Sequence, residues 1–244
     1  ILHGDLGTSL YNNLPVMQNI RNSLEPTILI MIFSILISVV IGIPVGVISA
    51  VHRNSILDYL LMTVSVFGLS IPVFWSGIML AYYVGTLWGV LPNMYYYPIS
   101  QVGLGQAIQY VILPSVALGF QSVASIARYT RSTMLDTLGE DYIRTARAKG
   151  LAERVVLYQH ALKNAMSPVI THIGTNMASL MGGACVIETV FGINGMGKLA
   201  YDSLIRRDYT QVQAIILVVA LVYIVINLVV DILYKVFDPR VELN

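Results

Sequence analysis

The sequence predicts an all-α membrane protein, and three observations carry that prediction. Of its 244 residues, 56% are hydrophobic and only 11% charged, and the mean hydropathy of +0.73 is far above that of a soluble domain of this length. Uncharged stretches run for a bilayer's width: no charged residue lies between Pro26 and Val51, and none between Asp58 and Arg128. The remaining charge collects in short connections, so the net charge of +1 hides strong local unevenness. Nothing in that balance suggests a nucleic-acid partner.

Residues 1–25, with Asn12, Asn13, Pro15, Asn19, Arg21 and Asn22, read as a non-membrane segment. The opening ILHGDLGTSL has neither a basic n-region nor an apolar h-region and is not a signal peptide. A run of about 20 helical residues crosses the roughly 30 Å hydrocarbon core, so residues 26–51 form a first span. Pro44, flanked by Gly42 and Gly46 near its end, predicts a packing kink in preference to a gating hinge.

His52 to Asn54 and Asp58 form a short polar turn. The uncharged interval that follows is too long for one helix and divides at residues 87–98, where Gly, Pro, Asn and aromatic residues suit a turn at the membrane interface. That gives a second span over 59–87, bent near Pro72, and a third over 105–127 carrying Pro114. The small residues Ser115, Ala117, Gly119, Ser122, Ala124 and Ser125 permit close helix contact there.

Residues 168–190 make a fourth span, in which Gly174, Ala178 and Gly182 align at four-residue spacing as a close-packing stripe. The single cysteine, Cys185, lies in this apolar run as a small packing residue, and no intrachain disulfide is possible. A glycine-bearing loop and a short amphipathic helix over 191–209 lead to a fifth span over 210–236. Near its end Asp231 and Lys235, at i and i+4, are expected to pair.

Between the third and fourth spans lies a polar island, residues 140–165. It packs Arg144, Arg147, Lys149, Arg154 and Lys163 among Glu140, Asp141 and Glu153. Tyr142, Ile143 and Ala146 give one helix an apolar stripe, and Gly150 is the residue suited to the left-handed conformation that ends a helix. A second helix over 152–165 has Val155, Val156, Tyr158, Leu162 and Ala165 on its apolar side, and Pro168 closes it or starts the next span. From pattern alone the island is either a solvated loop or a docking element.

Sidedness follows from the positive-inside rule. With the amino end outside, the inner connections hold Arg53, Arg128, Arg131, Arg144, Arg147, Lys149, Arg154, Lys163, Lys235 and Arg240, and the outer ones only Arg21, Lys198, Arg206 and Arg207. The island and the carboxyl end are then cytoplasmic, and residues 1–25 extracytoplasmic.

Glu188, near the outer end of the fourth span, is either a solvated helix end or part of an outer gate, because charge at membrane depth is costly unless paired or wet. Asn176 and Met181 on the same span are further pathway candidates. His3, His52, His160 and His172 are scattered without metal-ligand spacing. No G-x-x-x-x-G-K-[ST] phosphate loop occurs, so ATP is not hydrolysed by this chain, and the Gly-x-x-Gly-x-Gly at 192–197 reads as a turn.

TARAKGL followed by HALKNAMSPVIT resembles the cytoplasmic EAA loop of ABC-transporter membrane subunits, in the form found in oligopeptide, dipeptide and nickel permeases. Arg144, Thr145 and Ala146 occupy the places of Glu-Ala-Ala, Gly150 that of the motif's glycine and Leu162 that of the leucine in its closing Ile-x-Leu-Pro. The sequence departs at Arg144, where the general motif has Glu, and at Lys163, where it has Pro. Further matches are GDLGTSL, IGIPVGVISA at 41–50, ETVFGINGMGKL at 188–199, RRDY at 206–209 and VDILYKVFDPR at 230–240, so the resemblance covers nearly the whole chain.

The resemblance implies a type I ABC-importer transmembrane fold (MetI-like) in a bacterial or archaeal inner membrane, with a first family span preceding residue 1. It implies a second, homologous permease subunit, two ATP-binding subunits that carry ATP and Mg, and an extracytoplasmic binding protein that docks at 89–104 and 191–209. It implies no cofactor in this chain. The cargo is a peptide, or in the alternative nickel or a metal chelate. The coupling set it points to is Glu140, Asp141, Tyr142, Arg144, Thr145, Ala146, Arg147, Ala148, Lys149, Gly150, Leu151, Arg154, His160 and Leu162. Ala146 and Gly150 would be small for close approach to an ATPase cleft, and Arg144, Arg147 and Arg154 would pair with acids there. A transporter driven by an ion gradient is the alternative of a different class.

Overall fold

The computed structural model describes residues 6–237, with the side chains at 178, 230, 231 and 233–237 excepted. The expected Asp231–Lys235 pair and Arg240 lie outside the described residues. Every described element is helical apart from one isolated antiparallel bridge between Thr8 and Pro15. The helices are α1 (Val16–Val51), α2 (Ile56–Ser70), α3 (Val73–Leu80), α4 (Ile99–Val102), α5 (Leu104–Leu138), α6 (Asp141–Ala148), α7 (Glu153–Val155), α8 (Lys163–Val190), α9 (Met196–Ile205) and α10 (Tyr209–Phe237). A π-helical turn, Ala81–Leu87, prolongs α3, and another, Val156–Leu162, joins α7 to α8 without a break.

Among the described residues α1, α5 and α10 are each long and apolar enough to cross a membrane, and α2 with α3 makes a fourth candidate if the pair is one span. In the expected second span, α2 ends at Ser70, Ile71 is non-helical, and Pro72 stands at the N-cap of α3. In α8 the described stretch Ser179–Val190 is apolar but shorter than a span, and the first half of the helix carries Lys163, Asn164, His172 and Asn176. α1 begins ten residues before the span expected from hydropathy, so polar residues 16–25 are helical and continuous with it. Only 28% of the apolar window of α1 and 11% of that of α10 is buried, leaving Ile32, Leu36, Val40, Leu221, Ile224 and Leu228 exposed. Apolar side chains turned outward are what a lipid solvent selects.

Contacts divide the chain into two compact units. The first takes in residues through Ser34, Ile71–Gly119 and Met177–Val225. Its core packs Val16 and Ile20 of α1 against Met196 of α9 and Ala214 and Ile215 of α10. Ser34 Oγ donates to the Ser115 carbonyl at 3.0 Å and Ser115 Oγ to the Ile30 carbonyl at 3.2 Å, so α1 and α5 exchange hydrogen bonds where the bilayer supplies none. Glu25 anchors the connection before α4, accepting from Tyr96 Oη at 2.5 Å and from the Ile99 N–H at 2.7 Å.

The second unit takes in Ile35–Ser70, Phe120–Asn176 and the chain from Ile226 onward. Here α1 and α5 approach through Gly42 and Gly46, a Gly-x-x-x-Gly pair. A Cβ on Gly46 would lie 2.5 Å from the Ala127 carbonyl oxygen and 2.6 Å from Thr130 Cβ. The glycines around Pro44 therefore serve packing. The expected stripe on α8 differs: nothing lies within 4 Å of a Cβ placed on Gly182, while its neighbour Gly183 makes the close approach, to Leu118 in the first unit.

Candidate functional site

The polar island is a corner built on hydrophobic footing. Ile143 and Ala146 of α6 are buried with Val47 and Ala50 of α1, Met134 of α5, and Val156, Ala161 and Ala165 beyond the corner, with Leu162 packed beside them. The i, i+3 spacing of Ile143 and Ala146 sets that inward face. Ala146 thus packs inside its own chain, and the expectation that it is small for a partner cleft is corrected. Its size suits the crowded floor instead.

Gly150 ends α6 as the sequence predicts, at φ +77°. The Leu151 N–H reaches the Ala146 carbonyl at 3.4 Å and the Gly150 N–H the Arg147 carbonyl at 2.9 Å, the paired closure that accompanies a left-handed residue after a helix. Nothing lies within 4 Å of a Cβ built there. Backbone conformation, not lack of space, demands glycine.

Two side-chain ties brace this corner. Arg147 donates from Nη2 to Glu153 Oε1 at 2.7 Å and from Nε to Oε2 at 3.2 Å, spanning Gly150. The hydrogen-bonded guanidinium holds the Glu153 carboxyl below its usual range, and the carboxylate raises Arg147 in turn. Asn164 Nδ2 donates to Tyr142 Oη and to the His160 carbonyl, both at 2.8 Å. Glu153 and Asn164 are the corner residues that sequence reasoning left out of the coupling set; the charge pattern Arg147–Glu153 at six residues was the available signal for one of them. Arg147, expected to await a partner's acid, is already engaged within the corner.

The outward face carries Glu140, Asp141, Tyr142, Arg144, Thr145, Ala148, Lys149, Leu151 and Arg154, all exposed. Arg144 makes a loose pair with Asp141 at 3.3 Å, and the Thr145 hydroxyl donates to the Asp141 carbonyl at 3.0 Å. No ion pair to Lys149 or Arg154 is found among the described residues. The helix after the corner does not stop at Pro168, which lies inside α8. The π turn at Val156–Leu162 runs into α8 without an interruption.

Glu188 is fully buried, not a solvated helix end. Its Oε1 accepts from Thr27 Oγ1 at 2.5 Å, and its Oε2 from the Lys198 N–H at 2.8 Å. The Gly197 N–H also donates to it, and the Met196 N–H donates to Thr27 Oγ1 at 2.8 Å. These are the first N–H groups of α9, which lacks a capping side chain of its own. Gly195 brings the backbone close: a Cβ there would collide with the Glu188 carboxyl. Met181, farther back on α8, lines an apolar groove with Cys185, Tyr201 and Ile215, whereas Asn176 Nδ2 is engaged by the His172 carbonyl at 2.9 Å. Thr27, which donates to Glu188, lines the same groove as Met181. Thr27 has no counterpart in the sequence reading, since its partners lie 161 and 169 residues away.

A further ion pair, of buried Asp58 with partly exposed Arg131, was legible only as two separate polar residues. Asp58 also accepts from Ser49 Oγ and from the Asn54 N–H at 3.0 Å.

Residues 42–243 match the model of a family described as binding-protein-dependent transport system inner membrane components. A dipeptide transport system permease of Alkalihalophilus pseudofirmus is 42% identical over 98% of this chain and 78% of its own length. An oligopeptide transport system permease of Bacillus subtilis is 41% identical over 99% and 77%, and a glutathione transport system permease of Pectobacterium atrosepticum 42% identical over 99% and 76%. In structure the chain resembles the inward-facing MetNI methionine ABC transporter, with a TM-score of 0.72 at 17% identity over 91% of this chain and 97% of that one, a likeness of fold that bears out the all-α, MetI-like expectation. With four-fifths of its length inside the family model and relatives of this identity across nearly all of it, the chain belongs to the binding-protein-dependent transport system inner membrane components.

Proposed function

We propose that this protein is the membrane-spanning permease subunit of an ATP-driven importer of peptides, paired with a second homologous permease and two ATP-binding subunits, and supplied by an extracytoplasmic binding protein. The observation that carries the cargo is the agreement among its relatives: permeases named for dipeptides, oligopeptides and glutathione, itself a tripeptide, are 41% to 42% identical over 98% to 99% of the chain.

In this reading α2 with α3 is one broken span and α8 another, its polar first half turned from lipid, giving five spans with the island and carboxyl end cytoplasmic. The braced corner at Gly150 is the ATPase dock, offering Tyr142, Arg144, Lys149, Leu151 and Arg154. An exposed surface on a rigid, hydrophobically seated corner suits a lever, because force applied to it is not lost in loop motion. Glu188 supports an outer gate by holding α9 to α8. The outer segments 89–104 and 191–209, with exposed Val90, Met94, Tyr95, Tyr201 and Leu204, form the docking face for the binding protein.

Uptake of a labelled dipeptide into proteoliposomes holding the complete complex tests the proposal. Uptake is expected to require ATP and the binding protein and to survive an ionophore. Uptake without ATP that the ionophore abolishes would instead establish an ion-driven transporter.

A further inference from the structure

In the second unit a cavity of about 340 Å³ is lined by Leu69, Ser125, Arg128, Tyr129, Ser132 and His172. Four of these recur on α5 at i, i+3, i+4 and i+7, so one helical face supplies a cation, a phenol and two hydroxyls. His172 of α8 is fixed on two sides. Its ring stacks on Tyr129 with centroids 4.2 Å apart and planes 13° from parallel, and Nε2 lies 3.0 Å from Ser125 Oγ.

Arg128 is the unusual member. Arg131, three residues on, is engaged by Asp58, but no ion pair to Arg128 is found among the described residues. Arg128 is exposed and follows the last residue of the expected third span, so its guanidinium is accessible from the open side of the cavity. The guanidinium fork matches a carboxylate with two parallel hydrogen bonds. The wall around it offers hydroxyls and an imidazole but no carboxylate, so the chemistry favours an anion with further hydrogen-bonding atoms. The volume is at the low end for small-molecule sites, suited to the end of a chain.

We propose that this pocket binds the C-terminal carboxylate of the peptide in transit, with Arg128 as its anchor and Ser125, Ser132 and His172 bonding the adjacent peptide group. The proposal rests on the peptide reading above. It gives that reading a physical basis for tolerance of many cargoes, because every free peptide ends in this carboxylate whatever its side chains.

Equilibrium binding of labelled dialanine and of its C-terminal amide to the purified complete complex, without the binding protein, tests it. The wild type is expected to bind the acid at least tenfold more tightly than the amide. Arg128→Gln removes that preference, and Arg128→Lys keeps part of it, with all subunits still co-purifying. An acid-to-amide ratio unchanged in Arg128→Gln overturns the proposal, as does a wild type without preference. Equal loss of both ligands together with loss of the second permease overturns it in favour of a subunit contact. Competition by anionic phospholipid in place of the acid overturns it in favour of a lipid site. Proteoliposome uptake by the same wild-type preparation separates the two levels: no uptake of any peptide defeats the peptide reading, whereas normal uptake with an unchanged ratio defeats this pocket alone.

Discussion

Arg131 grips Asp58 with two hydrogen bonds of 2.7 Å, Nε to Oδ1 and Nη2 to Oδ2, across 73 residues of sequence. The carboxylate is 1% exposed. Removing one partner of such a pair strands the other, at a cost of about 3 kcal/mol. Asp58→Ala is expected to lower the melting temperature of the detergent-purified complex markedly, and Asp58→Leu with Arg131→Met to recover much of the loss. A double variant no better than Asp58→Ala would show that packing around the pair, not the stranded charge, sets the cost.

At Gly150 the constraint is the backbone, so bulk is irrelevant. An alanine forced to φ +77° costs about 1 kcal/mol, and asparagine less. Gly150→Ala and Gly150→Arg are both expected to reduce peptide transported per ATP hydrolysed with normal membrane abundance, and Gly150→Asn to stay near wild type. Uncoupling by arginine but not by alanine would assign the effect to size.

Gly195→Ala drives a methyl group into the Glu188 carboxyl. The expected cost is roughly 1–3 kcal/mol, the range for overpacking a filled site, concentrated at the start of α9. Limited proteolysis of the complex is expected to cut the connection at 191–196 at least several-fold faster than in wild type, and Glu188→Gln, which keeps shape and loses charge, to show a smaller increase. Equal resistance of all three proteins would refute the hold of Glu188 on the start of α9.

Asp208 lies between α9 and α10 and is 2% exposed. Burial alone would raise its carboxyl, but the Ser9 hydroxyl and the N–H groups of Gln211, Leu10 and Tyr11 outweigh that and hold it below its usual range. A depressed carboxylate contributes stability that is full above its unfolded value, about 3.9, and lost as pH falls through the lower folded value. Amide hydrogen exchange at Leu10 and Tyr11 is expected to stay slow at pH 5 and to quicken only below about pH 4. In Asp208→Asn it is expected to be fast already at pH 7. Protection in the variant equal to wild type would mean the segment is held by other contacts, such as Arg206 over the Tyr11 ring at 4.0 Å.

The long apolar helices and the glycine that ends α6 were legible because each is written locally, as hydropathy or as a conformational demand on one residue. The helix break before Pro72 was legible for the same reason. Three features were not. Asp58 and Arg131 each look like ordinary polar residues, since their meaning arises only when α2 and α5 meet. Ala146 was given an outward role because a small residue suits a crowded neighbour of either kind, and only the packing shows which neighbour it has. Pro168 looks like a boundary, yet it stands at the sixth position of α8, inside a helix that the π turn carries on from α7. Within the expected small-residue stripe Gly182 has nothing within 4 Å, and the close approach belongs to Gly183, a rotation of about 100° around the helix.

The borrowed cap of α9 bears on the order in which the molecule assembles. Ten residues are too few to hold a helix in isolation, and the oxygens that receive its first N–H groups belong to Thr27 on α1 and Glu188 on α8. Until those two helices lie side by side, the strand of chain from Met196 has nothing to nucleate on. A capped α9 therefore reports that distant parts of the chain have found one another.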